Sequence, residues 1–116
     1  MGLDHGIRLT GSHDDIVTWR KNYVIREWLR HNLTGFNDNG ETPITPADID
    51  RAIQALHGWL AGTTWPVETP DCWYKDMGVN VHPDERKELD WQALEALHGL
   101  EDCRQHTGKL EYWEWY

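Results

Sequence analysis

The octapeptide KLEYWEWY, residues 109–116, sets Leu110, Tyr112, Glu114 and Tyr116 in alternation with Glu111, Trp113 and Trp115, the period of two that belongs to a β-strand. Aromatic rings fall on both sides of it. Such a strand holds its place when a neighbouring strand pairs with it and one of its faces covers a core. The spacing therefore predicts that one face of 109–116 packs on helices and the other is left over.

A pairing partner stands at the opposite end of the chain. LDHGIRLTG, residues 3–11, alternates Leu3, His5, Ile7 and Leu9 with Asp4, Gly6, Arg8 and Thr10, and Gly11 ends the run. The two terminal strands are expected to lie side by side. Ser12 followed three residues later by Asp15 has the form of a capping box, which predicts a helix over about 13–32 that LTGFNDNGETP breaks. Asn39-Gly40 marks a tight turn.

Thr45-Pro46-Ala47-Asp48 opens a second helix. Threonine caps, proline suits the first turn, and aspartate favours the positive end of the helix dipole. Ile49, Ala52, Ile53, Leu56 and Leu60 form its apolar stripe, and it should stop near Gly62. Residues 62–80 have no helical period and read as a long loop, or a loop with a short strand around Cys72 to Tyr74. A third helix follows from either Pro83 or Asp90, with Leu89, Ala93, Ala96, Leu97 and Leu100 on one face and Trp91, Leu94 and His98 on another. Together these elements predict one α+β domain over 1–116, three helices packed on a small antiparallel sheet formed by the N- and C-terminal strands.

Composition supports a packed core of an unusual kind. Leu, Ile, Val and Phe number only 23 of 116 residues, and the formal charge is -9. Eight tryptophans offset that shortage, since each indole can bury roughly 150–250 Å². Five or six should lie inside, leaving two or three for a surface. No stretch has the roughly 18 apolar residues of a membrane span, and no signal-peptide pattern opens the chain. Cys72 and Cys103 are isolated, which fits a reducing cytoplasm and makes no disulfide obligatory. Membrane association is not expected.

Catalytic and metal signatures are missing. No histidine pair has HxH or HExxH spacing, and GFNDNGE lacks the acids of a calcium loop, having Gly35 and Pro46 where carboxylates are needed. There is no GxSxG and no phosphate-binding glycine loop. These absences favour a protein that is not an enzyme and uses no cofactor or metal.

Positive charge gathers only in the 13–31 segment. On a helix, Val17, Val24, Ile25, Trp28 and Leu29 make a core face, and Trp19, Arg20, Lys21, Tyr23 and Arg26 supply a basic surface interleaved with aromatics. That combination suits a nucleotide, stacked and charge-neutralised, although a solvated, ion-paired face is the commoner outcome. The net negative charge opposes binding to long nucleic acid.

The segment TWRKNYVIREWLRHNLTGFNDNGETPITPADIDRAIQAL, with MGLD at the start and YWEWY at the end, resembles a family of small uncharacterised bacteriophage proteins. The matching positions are Gly2, Leu3, Asp4, Trp19, Arg20, Lys21, Ile25, Trp28, Gly35 and Asp38, while His5-Gly6 departs from the aromatic residues that usually follow MGLD. What the resemblance implies is a phage or prophage origin, and by analogy with other small acidic phage proteins an anti-CRISPR or other anti-defence role in the host cytoplasm. The expected function is a non-enzymatic interaction protein that inhibits a host defence protein or ribonucleoprotein complex. Its expected anchors are Trp113, Trp115 and Tyr116, with Trp73 and Tyr74 of the 62–80 loop second. The alternatives are a nucleotide or cyclic-nucleotide binding module using the basic cluster, and an accessory structural phage protein, a homo-oligomer through the edge of its terminal strand.

Overall fold

A computed structural model describes residues 2–61 and 83–116, with the side chains of the last helix described from Lys87 onward. The elements run β1 (Asp4–Leu9), β2 (Asp15–Arg20), α1 (Tyr23–Asn32), β3 (Glu41–Ile44), α2 (Pro46–Leu60), α3 (Pro83–Cys103) and β4 (Leu110–Trp115). The four strands form one antiparallel sheet in the order β2-β1-β4-β3. The class is α+β, and the terminal strands pair as the alternation predicts, Asp4 opposite Trp115 and Leu9 opposite Leu110.

The expected helix over 13–32 is corrected to a strand, a corner and a shorter helix. Ile16, Val17 and Thr18 are three consecutive β-branched residues, stiff at χ1 and suited to a pleated surface. They pair with β1 through Gly6 and Ile7. Ser12 does not cap a helix; its hydroxyl accepts from the Asp14 N–H at 3.0 Å, inside the hairpin turn that Gly11 makes at φ 77°. Lys21, at φ 55°, turns the corner. Asn22 is the true cap, its side chain accepting from the Ile25 N–H. From there Val24, Ile25, Trp28 and Leu29 enter the core as the helical spacing requires.

β3 is an addition to the expected two-stranded sheet. Its four residues alternate exposed Glu41 and Pro43 with buried Thr42 and Ile44, a run too short and too interrupted by proline to be read as a strand from sequence. The strand covers the outer side of β4, so β4 is central. Association through an edge of the terminal strand is thereby overturned, because both of its edges are already paired.

α2 begins as its sequence requires, with the Thr45 side chain accepting from Asp48 N–H and the Asp48 carboxylate accepting from Thr45 N–H. Ile49, Ala52, Ile53, Leu56 and Trp59 are buried. α3 starts at Pro83 and buries Leu89, Ala93, Ala96, Leu97, Leu100 and Cys103. It approaches β2 closely at Gly99, where a Cβ would stand 2.5 Å from Val17 Cγ2 and 2.9 Å from Trp19 Cζ2. The core thus lies between the helices and the inward residues His5, Ile7, Trp19, Leu110 and Tyr112.

Of the six tryptophans described, Trp19, Trp28 and Trp59 are buried, Trp113 is half-buried, and Trp91 and Trp115 are exposed. Three buried and one half-buried indole stand beside the five or six expected inside, and Trp65 and Trp73 lie outside the described residues.

Candidate functional site

Strand alternation fixes what the other face of the sheet presents. In rows across β2, β1, β4 and β3, the outward residues are Arg20, Asp4 and Trp115, then Thr18, Gly6, Trp113 and Glu41, then Asp15, Arg8, Glu111 and Pro43. Trp115 is 65% exposed and Tyr116 follows it, also exposed.

Trp113 lies flat across the middle of this face. Its indole N–H donates to Asp15 Oδ1 at 2.8 Å, two strands away, so the ring must cross β1. Gly6 makes the crossing possible, since a Cβ there would meet Trp113 Nε1 at 3.2 Å and crowd the Val17 carbonyl oxygen more severely still. The Arg8 guanidinium stands 5.9 Å from the Trp113 ring centroid. It donates to Glu111 Oε2 at 2.9 Å and to Glu41 Oε1 at 3.1 Å. Trp113 is a tethered floor and Trp115 projects beside it, while Tyr116 falls to the other side of the strand, against Arg26.

Beneath the aromatic end of β4, a buried polar chain holds the strand in place. The Asn22 N–H donates to His5 Nε2 at 3.1 Å, which leaves the proton of neutral His5 on Nδ1, facing the Tyr112 hydroxyl at 2.9 Å. Tyr112 donates to Glu114 Oε1 at 3.0 Å. Glu114 also accepts from Arg26 Nε at 3.0 Å and Nη2 at 3.2 Å, and from the Asn39 N–H at 2.9 Å. Arg26 continues to Asp38 at 2.6 Å. Each member has a partner suited to its donor or acceptor character.

The charges follow from that arrangement. Burial drives His5 down to about 3, with Glu114 acting against the shift and Arg26 with it, so the imidazole is neutral. Burial alone would raise Glu114, but the hydrogen bonds from Arg26, Asn39 and Tyr112 and the Arg26 charge hold its carboxyl below the usual range. Tyr112 is pushed well above an ordinary phenol by burial and by Glu114. Cys103 is a free thiol raised to about 12 by burial, a poor nucleophile.

The C-terminus is held by the same device. The Tyr116 N–H donates to Asn39 Oδ1 at 2.9 Å, and the Arg26 guanidinium stands 5.2 Å from the Tyr116 ring centroid, a favourable cation–ring contact. Asn39 adopts φ 55° at the turn where the sequence places it. The aromatic end of β4 is therefore presented on a fixed backbone.

The structure does not bring the basic cluster together. Trp19 is 4% exposed and packs toward α3, its indole N–H 3.4 Å from the Glu95 carbonyl oxygen. Arg20 is on the open sheet face, Lys21 at the corner, and Tyr23 at the start of α1 with its N–H donated to Gln92. The Arg26 side chain, 12% exposed, is committed to Glu114 and Asp38. A strand alternates sides where a helix would have gathered these residues, and so the expected nucleotide surface is dispersed. Trp73 and Tyr74 lie outside the described residues. Nothing in the local sequence marks His5 and Gly6 as organising positions, because the groups they meet, on Asn22, Tyr112 and Trp113, are distant in the chain.

A groove of about 690 Å³ continues the open face past β3, lined by Thr10, Glu41, Pro43, Ile44, Lys109 and Glu111 among others. Among the described residues, no group of three or more His, Cys, Asp or Glu side chains is arranged to hold a metal ion, and no helix is long and apolar enough to cross a membrane. In comparisons with known proteins, no family model, no curated protein and no solved structure matches the chain.

Proposed function

We propose that this chain is a non-catalytic interaction protein that docks on a positively charged partner surface through the open face of its sheet, with Trp115 as anchor, Trp113 as floor and Tyr116 at the adjoining end of the strand. The observation that carries this reading is the exposure of Trp115 at the end of a central strand whose backbone is pinned from beneath. A large aromatic on a rigid support loses little conformational freedom when it binds, which is what a binding hot spot requires. The charge of -9 supplies long-range attraction to a Lys- and Arg-lined surface and discourages contact with nucleic acid itself. The likeness of its MGLD and WRK segments to small bacteriophage proteins favours a host defence complex, of the anti-CRISPR target type, as that surface.

Comparative capture from a bacterial lysate tests the proposal. Wild-type bait should retain a basic protein or ribonucleoprotein that a folded Trp115→Ala, Tyr116→Ala double variant loses. Equal recovery by both baits would refute the assignment of the face.

A further inference from the structure

The two sheet edges are unlike. On the β3 side, the Glu114 N–H bonds to the Gly40 carbonyl at 3.0 Å, so alternation places Thr42 and Ile44 in bonded pairs with β4 and turns Pro43 outward. Pro43 has no N–H to offer there, and the next outward N–H, that of Thr45, is taken by Asp48. That edge is closed to strand addition.

Among the described residues, nothing closes the β2 edge. The Lys21 N–H bonds to the Leu3 carbonyl at 2.7 Å, so Trp19 and Val17 occupy bonded pairs with β1, and the backbone groups of Thr18 and Arg20 point outward. Among the described residues no strand pairs with this edge. A bulge opposite Ile7 and Arg8 leaves Val17 to Arg20 as the regular stretch.

Two further features share this flank. The strand is acidic at its start, Asp14 and Asp15, and basic at its end, Arg20 and Lys21, all exposed. Above it, α3 turns Gln92, Glu95 and Gly99 toward β2 and Asn22 and its core face toward α1 and α2. Successive residues lie 100° apart, so Trp91, Leu94 and His98 fall on the side away from α2. Trp91 is 66% exposed and Leu94 is exposed beside it.

We infer that the chain forms a dimer by antiparallel pairing of β2 with β2 of a second copy. A two-fold axis near Thr18 brings Arg20 of each copy, whose ion-pair contact among the described residues is Asp4 at 3.9 Å, toward Asp14 of the other, and joins the two sheets into one of eight strands. The same axis sets the two α3 helices side by side along the Trp91 and Leu94 stripe. A second copy in antiparallel register offers both the reversed charge order and the matching stripe. The open faces of both sheets then lie on one side of the dimer, and the pairing stands or falls independently of what binds that face.

Sedimentation velocity over a concentration series tests this at physiological ionic strength, where the screening length of about 8 Å suppresses whole-chain repulsion but spares contact pairs. The wild-type chain should sediment as a reversible dimer. Arg20→Asp alone or Asp14→Arg alone should weaken it by about tenfold or more, since each converts two symmetry-related attractions into repulsions. The double exchange of both should restore it to within about threefold of wild type. A monomer at every concentration, or a dimer that ignores the single reversals or is not restored by the double exchange, overturns the proposal. Thermal melts of each variant separate a lost interface from a lost fold.

Discussion

Arg26 of α1 grips Glu114 of β4 with two hydrogen bonds, Nε to Oε1 at 3.0 Å and Nη2 to Oε2 at 3.2 Å, joining a helix to the central strand across 88 residues of sequence. The carboxylate is fully buried and the guanidinium nearly so. Removing one partner strands the other away from water, so Glu114→Ala should cost about 3 kcal/mol or more. Replacing both by apolar residues should cost clearly less than the sum of the single changes. Urea unfolding of the four members of the cycle measures this, and additive losses would show that the pair is not coupled.

His5 makes the fold acid-sensitive. Its pKa is about 3 when folded against an ordinary 6.5, so as pH falls the unfolded chain takes up the proton first. Its contribution is complete above pH 6.5 and is lost as pH drops from 6.5 toward about 3, at a slope of at most about 1.4 kcal/mol per pH unit. Glu114, with its depressed pKa, adds to the loss at the acid end. His5→Gln should flatten the upper part of this window in denaturant titrations at stepped pH.

Gly6→Ala should destabilise the sheet by about 2 kcal/mol or more, the cost of forcing atoms into a filled site. The methyl group would meet the Val17 carbonyl oxygen and the Trp113 indole. Tryptophan fluorescence should report the displaced Trp113 even where the variant stays folded.

The indoles should separate sharply by position. Trp28→Ala, in the core at 3% exposure, should cost about 3–5 kcal/mol, whereas Trp115→Ala should change stability by about 0.5 kcal/mol or less. Chemical denaturation of the two variants makes the comparison.

Legibility followed the kind of signal involved. The β1 and β4 alternation, the Thr45-Pro46 start of α2 and the α3 stripe are local patterns, and each is realised where the sequence puts it. The 13–32 segment failed because Ser12 and Asp15 imitate a cap while Ile16-Val17-Thr18 carries the opposing β preference; strand pairing with β1 decided between them. β3 was illegible because its strand character comes from β4 and not from its own four residues. The leftover face of β4, with Trp113 and Trp115, follows from alternation; the placing of Tyr116 against Arg26 does not. The role of Gly6 beneath Trp113 does not either, since it depends on a contact between residues 107 positions apart in the chain.

Oxidative footprinting of the purified complex with whatever protein the wild-type bait captures tests the assignment of the open face most directly. Trp115, exposed in the free chain, should become strongly protected when the partner is bound. Oxidation of Trp115 at the free-chain rate, with protection elsewhere, would place the partner on another surface and contradict the account.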